Sequence, residues 1–63
     1  MKITQEQIRK IAQHIATTTF TTLISATDID RTTAMLAATD AGNGAAQALS
    51  LTLREHDVTI TTE

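Results

Sequence analysis

The stretch "TDAGNGAAQAL", residues 39–49, decides how many helices this chain has. It is alanine-rich on both sides and interrupted by Gly42-Asn43-Gly44. Glycine is the commonest residue just past a helix end, and asparagine is an effective cap for the helix that follows. The local chemistry therefore predicts a helix ending near Ala41, with Gly42 as its C′ residue and Asn43 opening the next. The three-helix count rests on this joint, and one continuous helix across 39–49 would remove it.

A phosphate-binding loop does not fit the glycines. A dinucleotide fingerprint needs a preceding strand and a third small residue at the place where Gln47 stands, and no lysine follows as in a Walker loop. From Ala38 onward, "ATDAGNGAAQALSL" resembles the spacing of phage repressor and Cro-type helix-turn-helix units. An alanine is followed four residues later by glycine, and Ala48 and Leu51 fall where core contacts belong. The resemblance implies a DNA-reading helix offering Gln47, Ser50 and Thr52 to bases and Arg54 to phosphate. Charge opposes that reading. The only basic residues are Lys2, Arg9, Lys10, Arg31 and Arg54, and the formal net charge is −2, whereas phosphate contacts rest largely on basic side chains. A Cro-like DNA-binding protein is therefore the alternative, and a turn that only packs is the first reading.

Upstream of the joint, "SATDID" (25–30) reads as a helix start. Thr27 caps with Asp30 three residues on, and Asp28 and Asp30 suit the positive end of a helix. Ile29, Met35 and Leu36 supply bulk, while Ala34, Ala37, Ala38 and Ala41 permit close approach of a neighbour. The first helix has the clearest signals. Thr4 with Gln7 reads as a capping box, and Ile3 with Ile8 as its hydrophobic staple. Ile8, Ile11, Ala12, Ile15, Thr19 and Leu23 then recur at helical spacing. Glu6 and Lys10 are placed for an i,i+4 pair. The apolar stripe drifts, so Phe20 and Ile24 are expected to meet a different neighbour from Ile8 and Ile15. The run "TTTFTTLIS" (17–25) is also rich in strand-favouring residues.

Downstream, "AAQAL" favours helix, whereas "LSLTL" (49–53) and "VTITT" (58–62) alternate like strands. The preferred reading is a third helix over about 44–56 followed by a short strand. Its partner would be "MKI" at the start of the chain or the same strand of a second subunit. The alternative is two helices plus a C-terminal β-hairpin, pairing 49–53 with 58–62 through "REHD". The expected fold is thus mainly α: a small three-helix domain, residues 1–63, with a short C-terminal β-strand.

Composition narrows the function. Sixty-three residues make one small domain, and without cysteine neither a disulfide nor a thiolate metal site can staple it. His14 and His56 alone do not build a zinc site. A calcium loop opening at Asp28 would want glycine and glutamate where Thr33 and Thr39 stand. Glu55-His56-Asp57 reads as a turn, and Ser25 and Ser50 lack nucleophile context. Phe20 is the single aromatic, which disfavours base stacking. The fourteen threonines follow no fixed period. No apolar run approaches the ~20 residues of a membrane span, and the polar start "MKITQEQIRK" lacks a signal segment, so a cytoplasmic setting is expected. No cofactor, metal, membrane or nucleic acid is implied. What remains is a non-enzymatic regulatory or accessory protein, an inhibitor included, acting through protein–protein contacts. Because so small a core is marginal, a homodimer is expected, with Phe20, Ile24, Leu51, Val58 and Ile60 as interface residues.

Overall fold

In a computed structural model, which describes residues 1–62, the chain is a helical hairpin closed at its open end by two short strands. Strand β1 (Lys2–Thr4) leads into helix α1 (Gln5–Ala26), and helix α2 (Arg31–Glu55) leads into strand β2 (Thr59–Thr61). The strands pair in parallel with Lys2, Ile3 and Thr4 opposite Thr59, Ile60 and Thr61. The two-helix hairpin is the long crossover that parallel pairing requires. Of the two partners considered for the terminal strand, "MKI" of the same chain is the one used.

The capping box at the start of α1 forms as its sequence predicts. Thr4 Oγ1 accepts from the Gln7 amide at 3.0 Å, and Gln7 Oε1 accepts from the Thr4 amide at 2.8 Å. The acidic residue of the first turn pairs differently from expectation, since Glu6 bonds Arg9 rather than Lys10. At the other end of α1, Thr27 is a C-cap and not the start of the next helix. Its amide and hydroxyl both donate to the Leu23 carbonyl, at 3.2 and 2.7 Å. Asp30 caps α2, accepting from the Thr33 amide at 3.0 Å and the Thr33 hydroxyl at 2.7 Å.

The three-helix expectation is corrected here: α2 runs without interruption through Gly42-Asn43-Gly44. Neither glycine adopts positive φ, so Gly42 is not a C′ residue. It lies instead where the helices touch. A Cβ built on it would sit 2.9 Å from the Ala12 carbonyl oxygen and 3.1 Å from Ala16 Cβ. Tertiary contact thus outweighs the ~1 kcal/mol that a mid-helix glycine costs. The hairpin alternative fails for the same reason, because 49–53 lies inside α2.

Small residues recur every four positions along α2 at Ala34, Ala38, Gly42, Ala46 and Ser50, and α1 answers with Ile8, Ala12, Ala16, Phe20 and Ile24. Ridges at i±4 spacing are the commonest helix-packing rows. Phe20 lies beside Met35 and Ala38 of α2, so it shares that helix as a neighbour rather than needing another. Among the described residues only Ile8, Ala34, Ala38 and Gly42 are buried, and no large side chain is completely enclosed.

Candidate functional site

Helix α2 ends at its C-cap, His56, in a left-handed turn that no glycine marks. Asp57 has φ 64°. The Val58 amide donates to the Leu53 carbonyl at 2.9 Å and the Asp57 amide to the Arg54 carbonyl at 3.1 Å. This is the Schellman pattern, in which the residue after the turn usually touches one on the last helical turn. Val58 and Leu53 accordingly lie together on one surface. They line an open groove of about 670 Å³ with Met1, Ile3 and Ile11, and its rim carries Lys2, Gln7 and Lys10. The groove is the largest concavity described, and it exists because the turn at 56–58 and the strand pairing bring both chain ends beside the first turns of α1. On the same side, Ile15 of α1 and Ala45 and Leu49 of α2 are half-buried.

The opposite flank of the hairpin is more polar. One shallow depression there is lined by Arg9, Gln13, Thr39 and Asn43 together with small residues. Nearer the hairpin tip a smaller one holds Phe20 and Met35 between Thr17 and Thr39. The Arg31 guanidinium carbon stands 5.8 Å from the Phe20 ring centroid, within range of a cation–π contact.

The residues expected to form an interface do not share one surface. Phe20 lies in the tip depression, and Ile24, on the same half of α1, is half-buried. Leu51 is 61% exposed and borders Ala46, Gln47, Ser50 and Arg54 on the far side of α2. Val58 lines the groove, and Ile60 is half-buried opposite Ile3 in the sheet. The groove residues that the sequence reading left out are Met1, Ile3, Ile11 and Leu53. Ile11 had been placed on the core stripe, but a single alanine-rich partner helix covers only one side of that stripe. No sequence signal marked Leu53, because its meeting with Val58 depends on the left-handed Asp57.

Gln47, Ser50 and Arg54 do line one depression. They sit along an unbroken helix, however, and a helix-turn-helix unit needs a turn at 42–44. The other polar candidates have local structural partners. Ser25 Oγ donates to the Thr21 carbonyl at 2.9 Å, Ser50 Oγ to that of Ala46 at 2.8 Å, and Thr39 Oγ1 to that of Met35 at 2.9 Å. Such i−4 back-bonding lets hydroxyl residues sit within a helix, which accounts for part of the threonine content. His14 is exposed on α1. The Asp30 carboxyl is held below its ordinary pKa, first by the Thr33 hydroxyl and then by the Thr33 amide. Among the described residues no group of three His, Cys, Asp or Glu is placed to hold a metal, and no helix is long and apolar enough to cross a membrane. No family model matches the chain, and no curated protein or solved structure shows significant similarity to it.

Proposed function

We propose that this chain is a small non-enzymatic accessory or regulatory protein that works through protein–protein contact, beginning with its own self-association. The observation that carries this reading is the exposure of its bulky apolar residues. Met1, Ile11, Ile29, Met35, Leu36 and Leu51 are all exposed, while no large side chain among the described residues is fully enclosed. A chain this small without disulfide or metal needs another source of burial, and oligomerisation is the one open to it. The acidic balance and the unbroken α2 lend no support to a nucleic-acid role.

Sedimentation equilibrium of the purified chain tests the reading. The expected mass is a multiple of 6.8 kDa. A single-chain mass across the micromolar range, with no loss of folded structure, would overturn it. Retardation of duplex DNA at low salt, fading steeply as salt rises, would replace it with a nucleic-acid function.

A further inference from the structure

We propose that a second copy of this chain docks across the groove face, burying Ile11, Leu53 and Val58 of each copy around a two-fold axis. The inference rests on the self-association reading and adds to it the surface and the symmetry.

Three properties of the whole molecule call for a second layer. The molecule measures 41 × 20 × 14 Å, so it is one helix thick. Domains bury their apolar faces between at least two layers, and a second hairpin laid on the first supplies the missing one. Its radius of gyration is 13.6 Å, against about 11 Å for a compact chain of this length. Its accessible surface is 4730 Å², about 800 Å² more than a typical monomer of this mass exposes. That excess equals what one partner buries in a standard stable interface, about 800 Å². The surplus is therefore of the size one equal partner covers.

The location follows from continuity. Leu36 and Leu51 are exposed, but they stand fifteen positions apart on α2, roughly 22 Å at 1.5 Å per residue. Asp40, Asn43 and Gln47 occupy the exposed surface between them. Leu51 is a lone surface leucine of the ordinary kind, and Leu36, with exposed Met35 beside it, lies at the other end of α2. The tip depression is smaller, and its aromatic ring has Arg31 within cation–π range. Only around the groove do exposed and half-buried apolar side chains from both helices and both chain ends adjoin.

Charge near the groove is compatible with a second copy. Lys2 and Lys10 rim the groove, while Glu55 and Asp57 flank His56 in the turn that delivers Val58 to it. The patch thus has both signs beside it. In the proposed pairing the two-fold axis lies so that Lys2 and Lys10 of one copy face the Glu55–Asp57 turn of the other, the self-complementarity that an isologous interface requires. A strongly acidic or basic partner would meet repulsion on one side.

The test compares charged substitutions on three surfaces by light scattering. Ile11→Arg is expected to halve the mass of the dimer, or to shift its dissociation constant upward at least a hundredfold. Leu36→Arg and Leu51→Arg are expected to leave it unchanged. Because a disrupted dimer can also unfold, crosslinking supplies a second reading, and the absence of native cysteine makes it clean. Lys10→Cys, on the rim, should give a covalent dimer with a bis-maleimide, and Leu36→Cys should not. A dimer that Leu36→Arg or Leu51→Arg dissociates, or one in which Lys10→Cys fails to crosslink, would overturn this face while leaving self-association standing. A monomeric, folded wild type would overturn both.

Discussion

Two glycines two residues apart in α2 do opposite things. Gly42 has no room for a side chain, whereas a Cβ on Gly44 meets nothing within 4 Å. Gly44→Ala should therefore raise the unfolding free energy by about 0.5–1 kcal/mol, the propensity gained at an exposed helical site. Gly42→Ala gains the same propensity but must push backbone apart at Ala12, so it should be clearly destabilising. Urea midpoints of the two variants, moving in opposite directions, check this. Equal shifts would show that the helices do not touch at Gly42. Asp57 offers the converse case, a non-glycine residue in the left-handed region. Asp57→Gly relieves that strain and should stabilise by on the order of 1 kcal/mol. A loss of stability would mean that the Asp57 carboxylate contributes something the cap geometry does not require.

At the scale of elements, the beginning of α2 depends on a charge. Asp30 accepts two hydrogen bonds from Thr33, and these hold its carboxyl below the ordinary range. A depressed folded-state pKa contributes stability that is complete above the unfolded value, about 3.9, and is lost as pH falls through the lower folded value. Asp30→Asn keeps a capping acceptor that does not titrate. Thermal midpoints should therefore decline less between about pH 5 and pH 2 in Asp30→Asn than in wild type, wild type being the more stable near neutrality and the two converging in acid. Parallel acid limbs would show that the cap does not matter to global stability. The start of α1 was legible because its capping box, Thr4 with Gln7, is wholly local. The start of α2 was displaced by one capping residue because Thr27 and Asp30 are both competent caps. Only the position of α1's last turn assigns Thr27 to the helix before it.

The whole molecule is one layer thick, and its stability should consequently depend on concentration. If two copies unfold together, the midpoint rises with protein concentration by mass action. For a dimer of this size, with roughly 0.7 kcal/mol of unfolding enthalpy per residue, a hundredfold dilution should lower it by about 10 °C. Calorimetric scans at two concentrations measure this directly. An unchanged midpoint would mean that the hairpin holds itself together, and that its alanine seam contributes more than its few buried side chains suggest.

Local chemistry in the sequence was enough to determine the first helix and its cap, the mainly helical class and the terminal strand. Each depends on neighbours within a few positions or on a repeating pattern. Only the tertiary structure decided the meaning of "TDAGNGAAQAL". Gly42 signals a helix end by propensity and a helix contact by packing, and the same residue serves either. The deciding quantity is the distance from Gly42 to Ala12, thirty positions away in the chain. The groove was hidden for the same reason. Its lining joins both chain ends through a left-handed Asp57, a backbone state that residue type alone does not announce.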